Sequence, residues 1–474
     1  MPSLQDFRVA IINPPVDVVS EPSYDEPDYP HIGLASLGAY LLSKGMKPVL
    51  IDAKLERLKS DATLARIREL RPDLVGFTGF THEVERSAAL AARIRKVLPG
   101  ITIALGGVHA TATEEGTLRD FPEFDISFMG EGEETLWETC GRIRAGEPLD
   151  RQRGLCSRSG GAVVKGPENE RITDLDDLPV PAYELMPLAN VRRFPIMTAR
   201  GCPYGCNFCM RPYGKSVNAY SPEHVIRELK RLRDAYGASI VNFYDETFLV
   251  DRKRSDRILD LAAAEDVART ISWTATTHAA TVDRPVMAAM KRAGCVKVSI
   301  GAESGDPDLM KATGKGTSMD QVRQAFRIAR EAGLKVEGFF ILGHPGETRA
   351  TIEKTIRFAT ELNPDDVAFG IMVPYPGTGV AEIAARGEGG YKLLSTSWSD
   401  YNKQVGKALE IAGLPRHVLE RYQLTAYLSV FLKNRRFLDL ARFSWERRRE
   451  GMTFLRNFLR PAPKALASPA VSPG

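Results

Sequence analysis

A chain of 474 residues with 43% hydrophobic content is long enough for two to four domains with ordinary cores. Its 64 Lys and Arg against 60 Asp and Glu leave a net charge of +4, too small a surplus over this length to argue for nucleic acid as a partner. The opening run Met1-Pro2-Ser3-Leu4-Gln5-Asp6-Phe7 lacks the basic and apolar regions of a signal peptide, and no apolar run approaches the ~20 residues of a membrane span, so a cytoplasmic protein is expected.

Short apolar strands alternating with helical patterns open the chain. Strands are expected at residues 9–12, 48–51, 74–77, 101–105 and 125–128, the pattern of an α/β, doubly wound parallel sheet. With a flavodoxin-like strand order, the ligand crevice is expected beside the loops after the first and fourth strands. The strand-end loops are rich in Gly and Pro. They read Asn13-Pro14-Pro15-Val16, Thr78-Gly79-Phe80-Thr81-His82, Gly106-Gly107-Val108-His109-Ala110-Thr111 and Gly130-Glu131-Gly132-Glu133. The glycines allow close backbone approach to a bulky ligand, although any single loop reads equally as a tight turn.

A connector follows over residues 151–190. Residues 154–164 read as a hairpin on the Gly160-Gly161 turn, and 174–181, with Pro179 and Pro181, read as an extended linker. Domain boundaries are therefore expected at 1–150, 151–190, 191–390 and 391–460, with a tail at 461–474.

The third segment is a second βα series. Strands are expected at 194–198, 240–244, 271–275, 296–300, 336–342 and 366–372, and three intervening helices stop at Gly237, Gly294 and Gly333. Six such units suggest a partial (β/α)6 TIM-like barrel, whose chemistry belongs at the C-terminal ends of the strands. After the first strand comes Cys202-Pro203-Tyr204-Gly205-Cys206-Asn207-Phe208-Cys209, a CxxxCxxC spacing that marks a metal site. Three thiolates are one short of a closed structural zinc or iron-sulfur site, which leaves a position open for a substrate or cofactor. A structural zinc needs a fourth ligand; the nearest downstream candidate, His224, lies in Ser221-Pro222-Glu223-His224, which reads as a helix start. Cys140, Cys156 and Cys295 stand singly and are expected to pack as small hydrophobes in a reducing compartment.

Other strand ends on the same face carry carboxylates and glycines: Asp245-Glu246, Gly301-Ala302-Glu303, Gly343-His344-Pro345-Gly346-Glu347 and Pro374-Tyr375-Pro376-Gly377. Glu246 and Glu303 could accept hydrogen bonds from an amino group or a ribose. His278 and His344 read equally as structural histidines. Gly314-Lys315-Gly316-Thr317 is set aside as a phosphate loop because the required upstream glycine position holds Leu309.

The last segment carries helical stretches at 419–432 and 437–459. Arg435, Arg436, Arg447, Arg448, Arg449, Arg456 and Arg460 are interleaved there with Phe431, Phe437, Phe443, Trp445, Phe454 and Phe458. Such helices either cap a barrel or lie peripherally on an anionic membrane surface or acidic substrate. The Pro-, Ala- and Ser-rich tail from Pro461 is expected to be disordered.

The cysteine loop, with Phe208 just before its last Cys and lying after a first barrel strand, resembles that of the radical SAM superfamily. The preceding Rossmann-like unit resembles the cobalamin-binding domain of its cobalamin-dependent branch, which holds class B methyltransferases and the anaerobic magnesium-protoporphyrin monomethyl ester cyclase. The resemblance implies that Cys202, Cys206 and Cys209 hold a 4Fe-4S cluster whose unique iron binds S-adenosylmethionine. It further implies that Phe208, Glu246, Glu303, Ile341 and Gly343 contact that cofactor. Cobalamin contacts are expected at Asn13, Pro14, Thr81, Gly106, Gly107, His109, Gly130, Glu131 and Gly132. The lower-ligand motif DxHxxG is absent, since Asp28, His31 and Gly33 have the wrong spacing, which argues against histidine-ligated cobalt. The implied reaction is methylation of an unactivated carbon of a lipid, tetrapyrrole or secondary metabolite: one S-adenosylmethionine methylates cobalt and a second generates the hydrogen-abstracting radical. Ring closure without methyl transfer is the alternative, and a corrinoid or iron-sulfur carrier is the remote one. A flavodoxin or ferredoxin is the expected electron donor.

Overall fold

The computed structural model describes residues 4–19, 22–404, 406–446 and 448. The first five strands are β1 (Val9–Asn13), β2 (Val49–Asp52), β3 (Leu74–Thr78), β4 (Thr102–Gly106) and β5 (Ile126–Phe128), all parallel in the order β2-β1-β3-β4-β5. The order reverses between β1 and β3, which sets the switch point beside the loops after the first and third strands; the loops after the first and fourth, where the crevice is expected, both line the cavity there. Alternation along β1 sends Val9 and Ile11 into one apolar cluster and Ala10 and Ile12 into another. Ile67, Val84, Ala91 and Ile94, from helices Ser60–Leu70 and Val84–Val97, cover the second face. The first face is continuous with the core of the second sheet.

The hairpin read as a connector is part of the first sheet. Its strands, β6 (Leu155–Ser159) and β7 (Ala162–Lys165), extend the sheet to seven, with β6 antiparallel to β5. Pairing covers the otherwise open edge of β5, a tertiary demand that local turn chemistry does not reveal.

The second sheet holds six parallel strands, lying side by side in chain order. They are β8 (Arg193–Ile196), β11 (Ile240–Phe243), β12 (Ser272–Thr277), β13 (Cys295–Glu303), β14 (Lys335–Leu342) and β15 (Asp366–Ile371). Between the first two lie a short antiparallel pair, β9 (Ala199–Arg200) and β10 (Asn218–Ala219). Edges at β8 and β15 make this a half-barrel. Helix Pro222–Tyr236 starts as expected: the Ser221 hydroxyl accepts from the His224 amide at 3.1 Å, with Pro222 at the first helical position.

The C-terminal region closes the exposed edge. The small antiparallel pair β16 (Tyr391–Leu393) and β17 (Leu409–Ile411) precedes helix Arg416–Lys433. From that helix, Gln423 donates to the Phe369 carbonyl at 2.6 Å and the Tyr427 hydroxyl accepts from the Phe369 amide at 3.0 Å, so β15 presents satisfied backbone groups. Arg436 donates to Asn363 Oδ1 at 3.2 Å and the Asp365 carbonyl at 2.7 Å, at the end of helix Arg349–Leu362. Helix Phe437–Glu446 follows. Arg447, Arg449, Arg456, Arg460, Phe454, Phe458 and the tail from Pro461 lie outside the described residues. No helix among the described residues is long and apolar enough to cross a membrane.

Two contacts fasten the sheets together. Ser397 donates to Glu85 at 2.8 Å, and Trp398 donates through its amide to the same carboxylate at 2.7 Å, strapping the C-terminal region onto the first sheet's helices. Arg200 of β9 is buried and donates to Glu131 Oε1 at 2.8 Å and to Glu133 Oε1 at 2.6 Å, both in the segment after β5. Removing the only cation of such a buried set strands two carboxylates in low dielectric, so Arg200→Met is expected to destabilise the protein by about 3–5 kcal/mol in urea denaturation. The edge contact is smaller: Gln423→Leu leaves the Phe369 carbonyl unpaired and lowers stability by about 1–3 kcal/mol on the same measurement.

Candidate active site between the two sheets

The cysteine loop leaves β8 under tight control. Asp245, buried after β11, accepts from the Thr198 amide and hydroxyl at 2.5 Å each and from the Ala199 amide at 3.1 Å. Next to it, Glu246 Oε2 accepts from the Gly201 amide at 2.7 Å, while Glu246 Oε1 is buried without a hydrogen-bond partner. Gly201 has a φ of 103°, and a Cβ there would lie 2.1 Å from the Ser216 carbonyl, so only glycine fits directly before Cys202.

The loop is then pinned by two further strand ends and by the end of helix Pro307–Ala312. Tyr204 stacks on His278, after β12, with ring centroids 3.6 Å apart and an angle of 6°. The Asn207 amide donates to the Thr313 carbonyl at 2.8 Å, and its side chain to Ala312 at 3.0 Å. Phe208 meets His344, after β14, edge-on at 6.2 Å. His278 and His344 thus brace the loop. Burial pushes His278 down to about 4 and lowers His344, so both rings are neutral.

Cys202 and Cys206 are half-buried and Cys209 is exposed. Burial raises the Cys206 thiol above its ordinary value, Lys315 opposes, and Glu303 and Cys202 raise it further. Among the described residues no three His, Cys, Asp or Glu side chains converge closely enough to hold one metal ion. His224 is engaged elsewhere, within 3.5 Å of Asp176 and packed on Tyr220, which removes it as a fourth ligand.

Around the mouth, Glu303 sits at a register break of β13 against β14 with a φ of 55°, a strained conformation for a non-glycine residue. It is buried, and Lys315 holds it: the ammonium donates to Glu303 Oε1 at 2.5 Å and to the Gly301 carbonyl at 2.7 Å. The Lys315 carbonyl also meets His278 Nε2 at 3.0 Å. The Gly314-Lys315-Gly316-Thr317 run, dismissed as a phosphate loop, thus supplies a site residue by another route. At the end of β14, Glu347 Oε2 accepts from the amides of Gly343 and His344, and Tyr391 donates to the Gly343 carbonyl at 2.8 Å. Burial pushes the Glu347 carboxyl up to about 7.

A cavity of about 600 Å³ lies between the sheets. Of the residues expected to hold cobalamin, Asn13, Gly106, Gly107, Gly130, Glu131 and Gly132 line it, and Glu246 lines it from the barrel side. Asn13 is held by Asp52, which accepts from its amide at 2.7 Å. Gly107 has a φ of 94°, and a Cβ there would stand 3.1 Å from the Gly79 amide, so two loops meet as bare backbone. Beside the cavity, Lys54 and Arg86 pair with Glu83 and hold its carboxyl well below the ordinary range against the penalty of burial.

Three expectations change. His109 is fully buried on the first turn of helix Val108–Thr113, with its ring against Trp398 at 5.1 Å, rather than on the cavity wall. Thr81 is buried in the 3-10 turn Thr81–Glu83, and Pro14 is buried behind Asn13; neither lines the cavity. Phe208, Glu303, Ile341 and Gly343 lie outside this lining, on the barrel strands and loops around the cysteines.

The walls suit a large ligand carrying amides. Arg200 Nε, on a lining residue, is buried without a partner, and Gly79, Gly106, Gly107, Gly130 and Gly132 put bare backbone on the same lining. A model of the radical SAM superfamily matches residues 196–359, and one of the B12 binding domain matches residues 24–139. An uncharacterized methyltransferase of Pyrococcus horikoshii is 32% identical over 411 residues, 85% of this chain and 88% of that protein. The anaerobic magnesium-protoporphyrin IX monomethyl ester cyclase of Cereibacter sphaeroides is 27% identical over 341 residues, 69% of this chain and 56% of that protein. In fold, the radical S-adenosylmethionine methyltransferase TsrM of Kitasatospora setae, solved with cobalamin and a 4Fe-4S cluster bound, superposes with a TM-score of 0.71 at 18% identity, covering 88% of this chain and 90% of that one. With both domain models matched on the two sheets that share this cavity, the chain belongs to the cobalamin-binding radical SAM enzymes, whose cofactors are a 4Fe-4S cluster, S-adenosylmethionine and cobalamin.

Proposed function

We propose that this enzyme transfers a methyl group to an unactivated carbon of a small molecule. The observation that carries the reading is the position of Arg200: two residues before Cys202, on the cavity wall, and ion-paired to Glu131 and Glu133 of the corrinoid-side loop. One side chain thus joins the cysteine loop to the loops expected to seat cobalamin, and this supports a radical source and a methyl carrier meeting at one opening. When bound, the cluster and S-adenosylmethionine supply a hydrogen-abstracting radical and cobalamin a transferable methyl group.

This chain's residues bind and orient. Cys202, Cys206 and Cys209 hold the cluster. The free Oε1 of Glu246 accepts from the amino group of S-adenosylmethionine, Glu303 accepts from its ribose, and the backbone at Ile341 and Gly343 lies along its adenine. Lys315 holds the Glu303 carboxylate in place by a direct hydrogen bond, and the Tyr204–His278 stack prevents the loop from swinging away. Asn13 and the glycines at 106, 107, 130 and 132 seat the corrinoid. The substrate class, lipid, tetrapyrrole or other secondary metabolite, and a flavodoxin or ferredoxin as electron donor belong to the same reading.

Similarity to the cyclase favours a second reading, ring formation without methyl transfer. The products separate them. Anaerobically reconstituted protein, given a reductant and candidate substrates, is expected to release both S-adenosylhomocysteine and 5′-deoxyadenosine in step with product. 5′-Deoxyadenosine without stoichiometric S-adenosylhomocysteine would establish the cyclase instead. Cys206→Ala is expected to lose the cluster absorbance and at least a thousandfold of 5′-deoxyadenosine formation, about 4 kcal/mol of transition-state stabilisation, while the far-ultraviolet circular dichroism is unchanged.

A further inference from the structure

Glu228 is an acid where an apolar residue belongs. It lies on helix Pro222–Tyr236, whose buried stripe is Val225, Leu229 and Leu232 together with His224, Ile226 and Glu228 itself. The residue is 5% exposed, and its Oε1 is buried without a hydrogen-bond partner. Glu228 is one of the residues that line the cavity between the sheets, as are Tyr220, Tyr244 and the glycines of the loops after β3 and β4. An unpartnered buried carboxyl facing a cavity calls for a ligand group that can complete it.

We infer that Glu228 binds a side-chain carboxamide on the rim of the corrin ring by a two-point hydrogen bond, its hydroxyl donating to the amide oxygen and its carbonyl accepting from the amide nitrogen. This rests on the cofactor reading above. A carboxylic acid and a primary amide are complementary in this way only while the acid keeps its proton. Burial pushes Glu228 up to about 8; Arg231 opposes and Asp245 adds to the rise. The groups facing it are Arg231 on its own helix, which is engaged with Glu184 at 3.0 Å, Asp245 after β11, and the phenols of Tyr183 and Tyr220, both raised by burial and remaining neutral in this range. No cation is paired with it among the described residues, so at neutral pH it is a neutral donor and acceptor.

The sign follows from the proton. Affinity for the corrinoid is full below about pH 7 and falls as pH rises through about 8, by roughly tenfold at pH 9, as Glu228 ionises. The test measures hydroxocobalamin binding to the full-length reconstituted chain, by absorbance of the retained corrinoid after rapid filtration, in wild type, Glu228→Gln and Glu228→Leu across this range. Glu228→Gln is expected to bind as wild type does at pH 7 with no fall at pH 9, since its amide keeps both a donor and an acceptor. Glu228→Leu is expected to bind at least tenfold more weakly at pH 7. Wild-type affinity in Glu228→Leu, or the wild-type pH fall persisting in Glu228→Gln, would overturn the assignment of Glu228 alone. Wild-type protein that retains no hydroxocobalamin would overturn the cofactor reading and Glu228 with it. If Glu228→Leu fails to fold by circular dichroism, the pH profile of Glu228→Gln against wild type decides.

Discussion

The geometry of this enzyme hangs on a buried cation between two carboxylates. Arg200 leaves β9 two residues before the first cluster cysteine and is clasped by Glu131 and Glu133 from the loop after β5. A guanidinium with two carboxylates in a water-poor interface is not a large net source of stability compared with well-packed apolar groups. Its directional, charge-assisted hydrogen bonds fix position, and a small slip would leave three charges uncompensated. The orientation of the cysteine loop relative to the cavity follows from that constraint. Glu131 extends the lock, since its second oxygen accepts from the Ile172 amide at 2.8 Å and ties the inter-sheet connection to the same centre.

The same device recurs at the strand ends of the half-barrel. Asp245, Glu246 and Glu347 each accept from backbone amides of the loop they anchor, and Lys315 holds Glu303. These carboxylates build the mouth first and meet ligands with what remains. Asp245 is occupied by three donors and acts as a positioning residue; Glu246 keeps one oxygen free. The strained backbone of Glu303 at the β13 register break places its side chain where a regular strand would not, and the Lys315 contact helps to hold it there.

Much of this was legible along the chain because parallel strands buried on both faces read as short apolar runs. The five parallel strands of the first sheet and all six of the half-barrel fall within a few residues of their expected positions. The Ser221-Pro222 helix start is equally local, since its cap closes within three residues. The cysteine spacing needed no fold to be noticed. Lys315 was hidden because its partner, Glu303, lies twelve residues away across a bulge. The place of His109 is set by Trp398, which comes from the far end of the chain and packs on its ring. Glu228 sat unremarked within an amphipathic helix, where nothing in the pattern says that one member of the buried stripe faces a cavity and the others a core.

The sequence by itself determined the two α/β layers, the cysteine triplet and the carboxylates at the neighbouring strand ends, because periodicity, capping and cysteine spacing are properties of neighbours in the chain. Only the tertiary structure decided how the hairpin closes the first sheet, which loops face the cavity, and which acids are spent on holding the loops. Those outcomes depend on burial and on pairing between residues tens to hundreds of positions apart. A buried charge must find its partner in space, and the chain order does not say where that partner will be.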